Sequence, residues 1–427
     1  MNELIHAAQP RRHFFRLMAM AAASAVAPRA LYAEQGEAGE PATSPAVSAG
    51  VSTFEDVWRT VRDRFYDPNR HGLDWSAVRE RYRPNAERVT SEEARAGVIN
   101  SMLSELQASH THYYTADEPE YYQLAGIFAG ALRRRGLERA FPGGRISYPG
   151  IGILSRADTQ GRSTITGVID GTPARQAGLL AGDEIISADA APFQPVRSFR
   201  SKVGKEVVLG LSRAGAFRQI PVTPVDIEPN RMFLDGMKAS ARVVPANGRR
   251  IGYVHVWCYA GYAYQRALED LVSEGALSEA DALIWDLRDG WGGAVPQYLD
   301  LFNTRAPMMQ LTGRNGARKF ENVKWRKPVA MLVNGGTRSG KEVLAYGFKK
   351  YRLGEVIGTR TEGAVLAATA FLIGGGLLLL AVDDVLVDGE RLEGVGVTPT
   401  IEVQAGPPSV NADDPQLNRA VAVLSGA

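Results

Sequence analysis

Cysteine is almost absent from this sequence: Cys258 is the only one in 427 residues. An intramolecular disulfide is therefore excluded, and so is any zinc or iron–sulfur site built on a cysteine cluster. Cys258 lies in the apolar run Ile251–Tyr259, where a buried, inert thiol is expected rather than a nucleophile. Charge imbalance is just as scarce. Lysine and arginine number 49 against 47 acids, a formal net charge of +2, so there is no electrostatic case for a nucleic-acid partner. Beyond the first residues the chain has no run of about 18 apolar residues, and no stable membrane anchor is expected in the mature form. No cofactor is expected. The set His110, His112 and Glu393 gains no support as metal ligands from its spacing.

What is present begins with a basic start. Residues 10–17 read Pro-Arg-Arg-His-Phe-Phe-Arg-Leu, followed by a short apolar stretch, Leu17–Ala27, and a small-residue exit at Ala33. This resembles a twin-arginine export signal. Residues 1–33 are expected to be removed and the mature protein to be periplasmic or secreted. Residues 34–50, rich in Ala, Gly, Pro, Ser and Glu, are expected to be a flexible linker. Phe54, Val57, Trp58, Val61 and Phe65 then recur at helical spacing. A second helix is expected after Asp74-Trp75, and a third at Thr90-Ser91-Glu92-Glu93, where Ser91 or Thr90 can cap. Residues 51–124 therefore read as a small helical domain whose last helix gives way to a histidine-bearing loop, Ala108–His112.

Residues 125–228 follow another pattern, with short apolar runs alternating with glycine turns. Gly171-Thr172-Pro173-Ala174 starts a short helix, with Thr172 as cap and Pro173 at the first helical position. Ala181-Gly182-Asp183 turns into the strand around Ile185-Ile186. Together these segments resemble a bacterial PDZ domain. The resemblance implies that Gly150, Ile151, Gly152 and Ile153 form a carboxylate-binding loop and edge strand for a peptide's C-terminus. It also implies a groove-lining helix around Val196–Lys202.

Residues 229–405 alternate strand and helix patterns, and 406–427 read as a tail. The strongest local signal is Val329–Glu342, a buried strand running through a glycine-rich turn into a helix. Ser339 stands at that helix start, where free amides and the positive dipole end favour an oxyanion. The plainer alternative is that Ser339 only caps the helix, with Glu342 completing a capping box.

The wider chain favours the first reading. Asp286-Leu287-Arg288 with Gly292-Gly293, Asn334 through Glu342, and Gly358-Thr359-Arg360-Thr361 resemble the C-terminal-processing (tail-specific) serine peptidase family. Tyr66-Asp67-Pro68 and Ser109-His110-Thr111 extend the likeness to the N-terminal region. The resemblance implies an α/β chain with a ClpP/crotonase-like ββα core, an N-terminal helical domain and an inserted PDZ-like β-domain. It implies a protein or peptide substrate, met through its C-terminus. One departure matters: where the lysine-using branch carries its base, this chain has Ala364. Lys341 is a poor substitute, because residues two apart on a helix face different ways. Ser109-His110 and Glu393 instead match the tricorn-like branch that uses histidine. On that likeness Ser339 is the nucleophile, His110 the base, Ser109 and Glu393 supporting groups, and the Gly340 and Gly292 amides the oxyanion hole, with Gly293 the alternative to Gly292. His112 is the alternative base, and His255 is expected to be a satisfied core histidine. The competing reading is a non-catalytic PDZ-containing scaffold that keeps a peptidase-like core.

Overall fold

The computed structural model describes residues 45–158, 162–314, 316–406 and 414–426. The expected export segment lies outside them. The first helix, Pro45–Arg64, begins six residues inside the expected linker, since proline suits a first helical position.

The helical region packs as its spacing requires. Helices Pro45–Arg64, Trp75–Arg88 and Glu92–Ser104 close around Phe54, Val57, Val61, Trp75, Ile99 and Met102. Asp74 caps the second helix through the Ser76 and Ala77 amides, and Ser91 caps the third through Ala94. Trp58 and Trp75 each donate their indole N–H to the other's carbonyl, at 2.9 and 3.0 Å. Beyond the third helix, the strand His112–Tyr114 pairs antiparallel with Gly376–Asp383, whose other neighbour is Ala367–Ile373. The run Leu377–Ala381 is buried on both faces. Leu378 and Leu380 meet the helices, while Leu377 and Leu379 meet the main core, as period-two alternation dictates. This strand pairing fixes the preceding histidine loop against the rest of the chain.

The central sheet has six strands: Arg242–Ala246, Arg249–His255, Ala282–Asp286, Val329–Val333, Glu355–Gly358 and Ile401–Glu402. The first pair is antiparallel and the others are parallel. Ile251, Ile284, Ala330 and Leu332 face one side, where helix Pro415–Ser425 covers them with Ala420 and Leu424. Val254, Leu283, Trp285, Met331 and Val333 face the other, under helices Tyr262–Ser273 and Gly340–Lys350. Burial on both faces explains the unbroken apolar strands. Helix Pro415–Ser425 occupies what reads in sequence as a plain tail, and Asp414 caps it through Leu417 N.

Residues 148–227 form a separate β-rich unit with its own core of Ile151, Ile165, Leu179, Ile185, Phe199 and Leu209. Its incoming and outgoing strands, Tyr148–Gly150 and Val225–Ile227, pair antiparallel, so the unit is an insertion on a two-stranded stalk. The stretch before it, counted with the β-domain in the sequence reading, holds the end of helix Pro119–Ile127 and two short helices, Ala129–Arg133 and Leu137–Ala140. Two local expectations need correction. The segment Val196–Lys202 holds only a single 3₁₀ turn, Arg197–Phe199, hemmed in by Pro195 and by the left-handed Ser201. Thr172 does not cap with its side chain: its hydroxyl donates to the Ile169 carbonyl at 2.7 Å.

Candidate active site

Ser339 ends the turn after strand Val329–Val333 and takes a left-handed conformation, φ 57° and ψ −131°. A non-glycine residue held there carries strain of about 1–3 kcal/mol that the surroundings must impose. They do so through its backbone. Ser339 N donates to the Ala364 carbonyl at 2.8 Å and to Glu342 Oε2 at 3.1 Å. Glu342 is fully buried and also accepts from Thr361 Oγ1, Gly363 N and Ala364 N at 2.6, 2.7 and 2.8 Å. Desolvation pushes its carboxyl up, while these donors oppose that shift. Glu342 is thus more than half of a capping box: it locks the Ser339 turn to the segment Thr361–Ala364.

Gly292 and Gly340 meet at the same point. A Cβ on Gly292 would lie 2.5 Å from Ser339 Cβ, 2.7 Å from the Arg338 carbonyl oxygen and 3.0 Å from Gly340 N. Gly340 opens the helix, so its amide has no intrahelical acceptor. Gly293, by contrast, faces Ala260. The two glycine turns are cross-linked by Asn334, which accepts from Asp289 N and Gly336 N and donates to Asp289 Oδ2.

The histidine loop forms the third side. Ser109 Oγ donates to Glu393 Oε2 at 2.9 Å and lies 2.9 Å from His110 Nδ1. Its proton is committed to Glu393, so Ser109 Oγ must accept from Nδ1–H of His110. That fixes the tautomer and leaves the Nε2 lone pair free. Glu393 also accepts from Ser109 N, Val365 N and Leu366 N at 3.1, 2.7 and 3.2 Å. Val365 follows Ala364, whose carbonyl holds Ser339, so the histidine array and the Ser339 turn share one short segment. Desolvation lowers the His110 pKa to about 4, with Arg338 adding to the shift and Glu393 opposing it.

The other sequence candidates have separate surroundings. His112 Nε2 lies 3.1 Å from Asn100 Nδ2, and its ring rests on Tyr114. His255 is buried, with Nε2 at 2.9 Å from the Arg288 carbonyl and its ring stacked on Trp257. Gly150 ends the stalk strand. Ile151 and Ile153 are core residues of the insertion. Gly152, at φ 84°, packs so closely on Thr172 that a Cβ there would lie 2.4 Å away. A cleft of about 680 Å³ separates the insertion from the rest of the chain. Leu154 and Arg156 line one side, His112 and Glu120 another, and Asp289 and Arg338 a third. Arg338 pairs with Glu362 at 2.6 Å and lies over the Trp291 ring. No sequence pattern singles out Arg338 for this place in the cleft.

Residues 250–403 match the model of peptidase family S41, and residues 52–104 match the tricorn protease C1 domain. The tricorn protease homolog 1 of Streptomyces coelicolor is 25% identical over 392 residues, covering 88% of this chain and 35% of that protein. The carboxy-terminal-processing protease of Bartonella bacilliformis is 28% identical over 256 residues, covering 55% of this chain and 57% of that protein. The chain spans about a third of the tricorn homologues it matches. A crystal structure of the tricorn protease aligns at a TM-score of 0.50 and 19% identity, over 89% of this chain and 37% of that one, a likeness of fold.

Within the matched residues 250–403, Glu393 offers a direct test of the array. All four of its partners donate. In Glu393→Gln one acceptor becomes an NH₂ donor that faces other donors. The expected outcome is a loss of about 1–3 kcal/mol in stability, read by urea unfolding, together with at least a tenfold fall in hydrolysis. Wild-type values for both would remove Glu393 from the array.

Proposed function

We propose that this chain is an exported serine endopeptidase with a ClpP/crotonase-like core. Ser339 is the nucleophile, His110 the general base, and the Gly292 and Gly340 amides the oxyanion hole. The observation that carries this is the Glu393–Ser109–His110 array, which sets the tautomer a base requires and meets the nucleophile turn at Ala364–Val365. His110 Nε2 takes the Ser339 proton as Oγ attacks the substrate carbonyl, and later returns it to the leaving amine. Ser109 and Glu393 hold the ring through that exchange. Arg11-Arg12 and the apolar run after them support substrates outside the cytoplasm.

The insertion is read as PDZ-like. Its strand Ile153–Ala157 pairs on one side with Ser163–Val168 and has no partner on the other among the described strands. Leu154, Ser155, Arg156 and Ala157 line the cleft that Asp289–Trp291 and Arg338 border. An extended peptide added to that edge, its C-terminal carboxylate at the Gly150–Ile153 loop, would be held beside the site.

The pH profile tests the base. With His110 neutral down to a pKa of about 4, kcat/KM should stay flat from pH 8 to 5 and fall with an acid limb well below the usual histidine value of about 6.5. Arg338→Met removes a cation beside the ring and should move that limb upward. Stability follows the same linkage: the folded pKa lies below the unfolded one, so stability declines as pH falls from about 6.5 towards 4. An acid limb that Arg338→Met leaves where it is in the wild type would contradict the assigned base.

A further inference from the structure

Lys341 lies two residues beyond Ser339 and is completely buried. Its ammonium meets backbone carbonyls rather than a carboxylate: Nζ donates to Asp289 O at 2.7 Å and to Trp257 O at 3.3 Å. Burying a cation this way is costly, and desolvation lowers its pKa to about 8. The proposed mechanism makes no use of this group, yet both carbonyls belong to the support of the Gly292 turn.

That turn needs support. Asp289 has φ 51° and Gly290 φ 72°, and a Cβ on Gly290 would lie 1.9 Å from Trp257 O. Trp291 N donates to Trp257 O at 2.8 Å, and Gly292 O accepts from Tyr259 N at 3.1 Å. These bonds stitch the turn to the end of its neighbouring strand. Asn334 links Asp289 to the turn before Ser339, but none of these bonds ties the Gly292 turn to the helix that Gly340 opens. Lys341 does.

We propose that Lys341 is a positioning residue of the oxyanion hole: its Nζ fastens the Asp289–Gly292 turn to the helix bearing Ser339 and Gly340, and so sets the spacing between the two donor amides. The proposal rests on the reading of Gly292 and Gly340 as those donors. Hole geometry matters most once the substrate oxygen carries charge. Its loss should therefore appear in kcat and leave KM nearly intact.

The test uses the purified protein with p-nitrophenyl acetate and a fluorophosphonate probe. Lys341→Met should lower kcat about 100-fold, the scale of one lost oxyanion donor, with KM within about twofold. The rate of probe labelling should fall in parallel. Lys341→Gln keeps a shorter donor and should lose about tenfold. Circular dichroism establishes folding at the assay temperature. If Lys341→Met is unfolded there, Lys341→Gln decides alone. A folded variant with wild-type kcat, or one whose loss lies in KM, overturns the proposal. Labelling that survives in Ser339→Ala instead overturns the nucleophile assignment, so the two failures are distinguishable.

Discussion

Ser339→Ala should abolish fluorophosphonate labelling and lower peptide hydrolysis by about 10⁴-fold or more. The argument is local. The substitution removes one oxygen and leaves the turn as it is, because the turn is held through Ser339 N, by the Ala364 carbonyl and Glu342 Oε2. Alanine meets the same left-handed backbone that serine does, so the melting temperature should stay close to that of wild type. His110→Ala should approach the same loss, because nucleophile and base act as one unit. The double variant should then be little worse than either single one. Residual activity near wild type in Ser339→Ala would remove the nucleophile. Labelling that survives only in His110→Ala would keep Ser339 and transfer the base to another group, with His112 in the cleft the first to examine.

The legible part of this site is what local patterns can carry. Ser339 announces itself by a strand, a glycine turn and a helix start, and Gly292 by the turn after Asp286-Leu287-Arg288. Ser109, His110 and Glu393 are visible only through family likeness, since 284 positions separate Ser109 from Glu393 and no local rule joins them. Lys341 shows the limit from the other side. Helical spacing says correctly that it points away from Ser339, but not that this direction leads to the carbonyls of Trp257 and Asp289. Glu342 is similar: its capping role is local, whereas its bonds to Thr361, Gly363 and Ala364 depend on the next strand returning alongside. Helix Pro415–Ser425 was readable in principle, from Asp414-Pro415 and the spacing of Leu417, Val421 and Leu424. The 3₁₀ turn at Arg197–Phe199 was not, because a single turn carries too little periodicity.

Gly292→Ala should lower kcat by about 10²–10³-fold, the range seen when an oxyanion donor is lost, and leave KM nearly unchanged. Gly292 is not held at positive φ, so alanine meets no backbone strain there and the test is steric. The added methyl would sit 2.5 Å from Ser339 Cβ, 2.7 Å from the Arg338 carbonyl oxygen and 3.0 Å from Gly340 N. None of these is the movable end of a long side chain. The turn must retreat, and the two amides must separate. Overpacking of this kind costs about 1–3 kcal/mol, which urea unfolding would register. Gly335→Ala is the matched control: it lies in the nucleophile turn, yet its added methyl meets only the Arg360 carbonyl at 4.0 Å. Its activity should match the wild type. Full kcat in Gly292→Ala would mean that the hole is built elsewhere, and the proposed role of Lys341 would fall with it. A selective loss of kcat in Gly292→Ala, beside a silent Gly335→Ala, would place the developing negative charge between the two glycine turns.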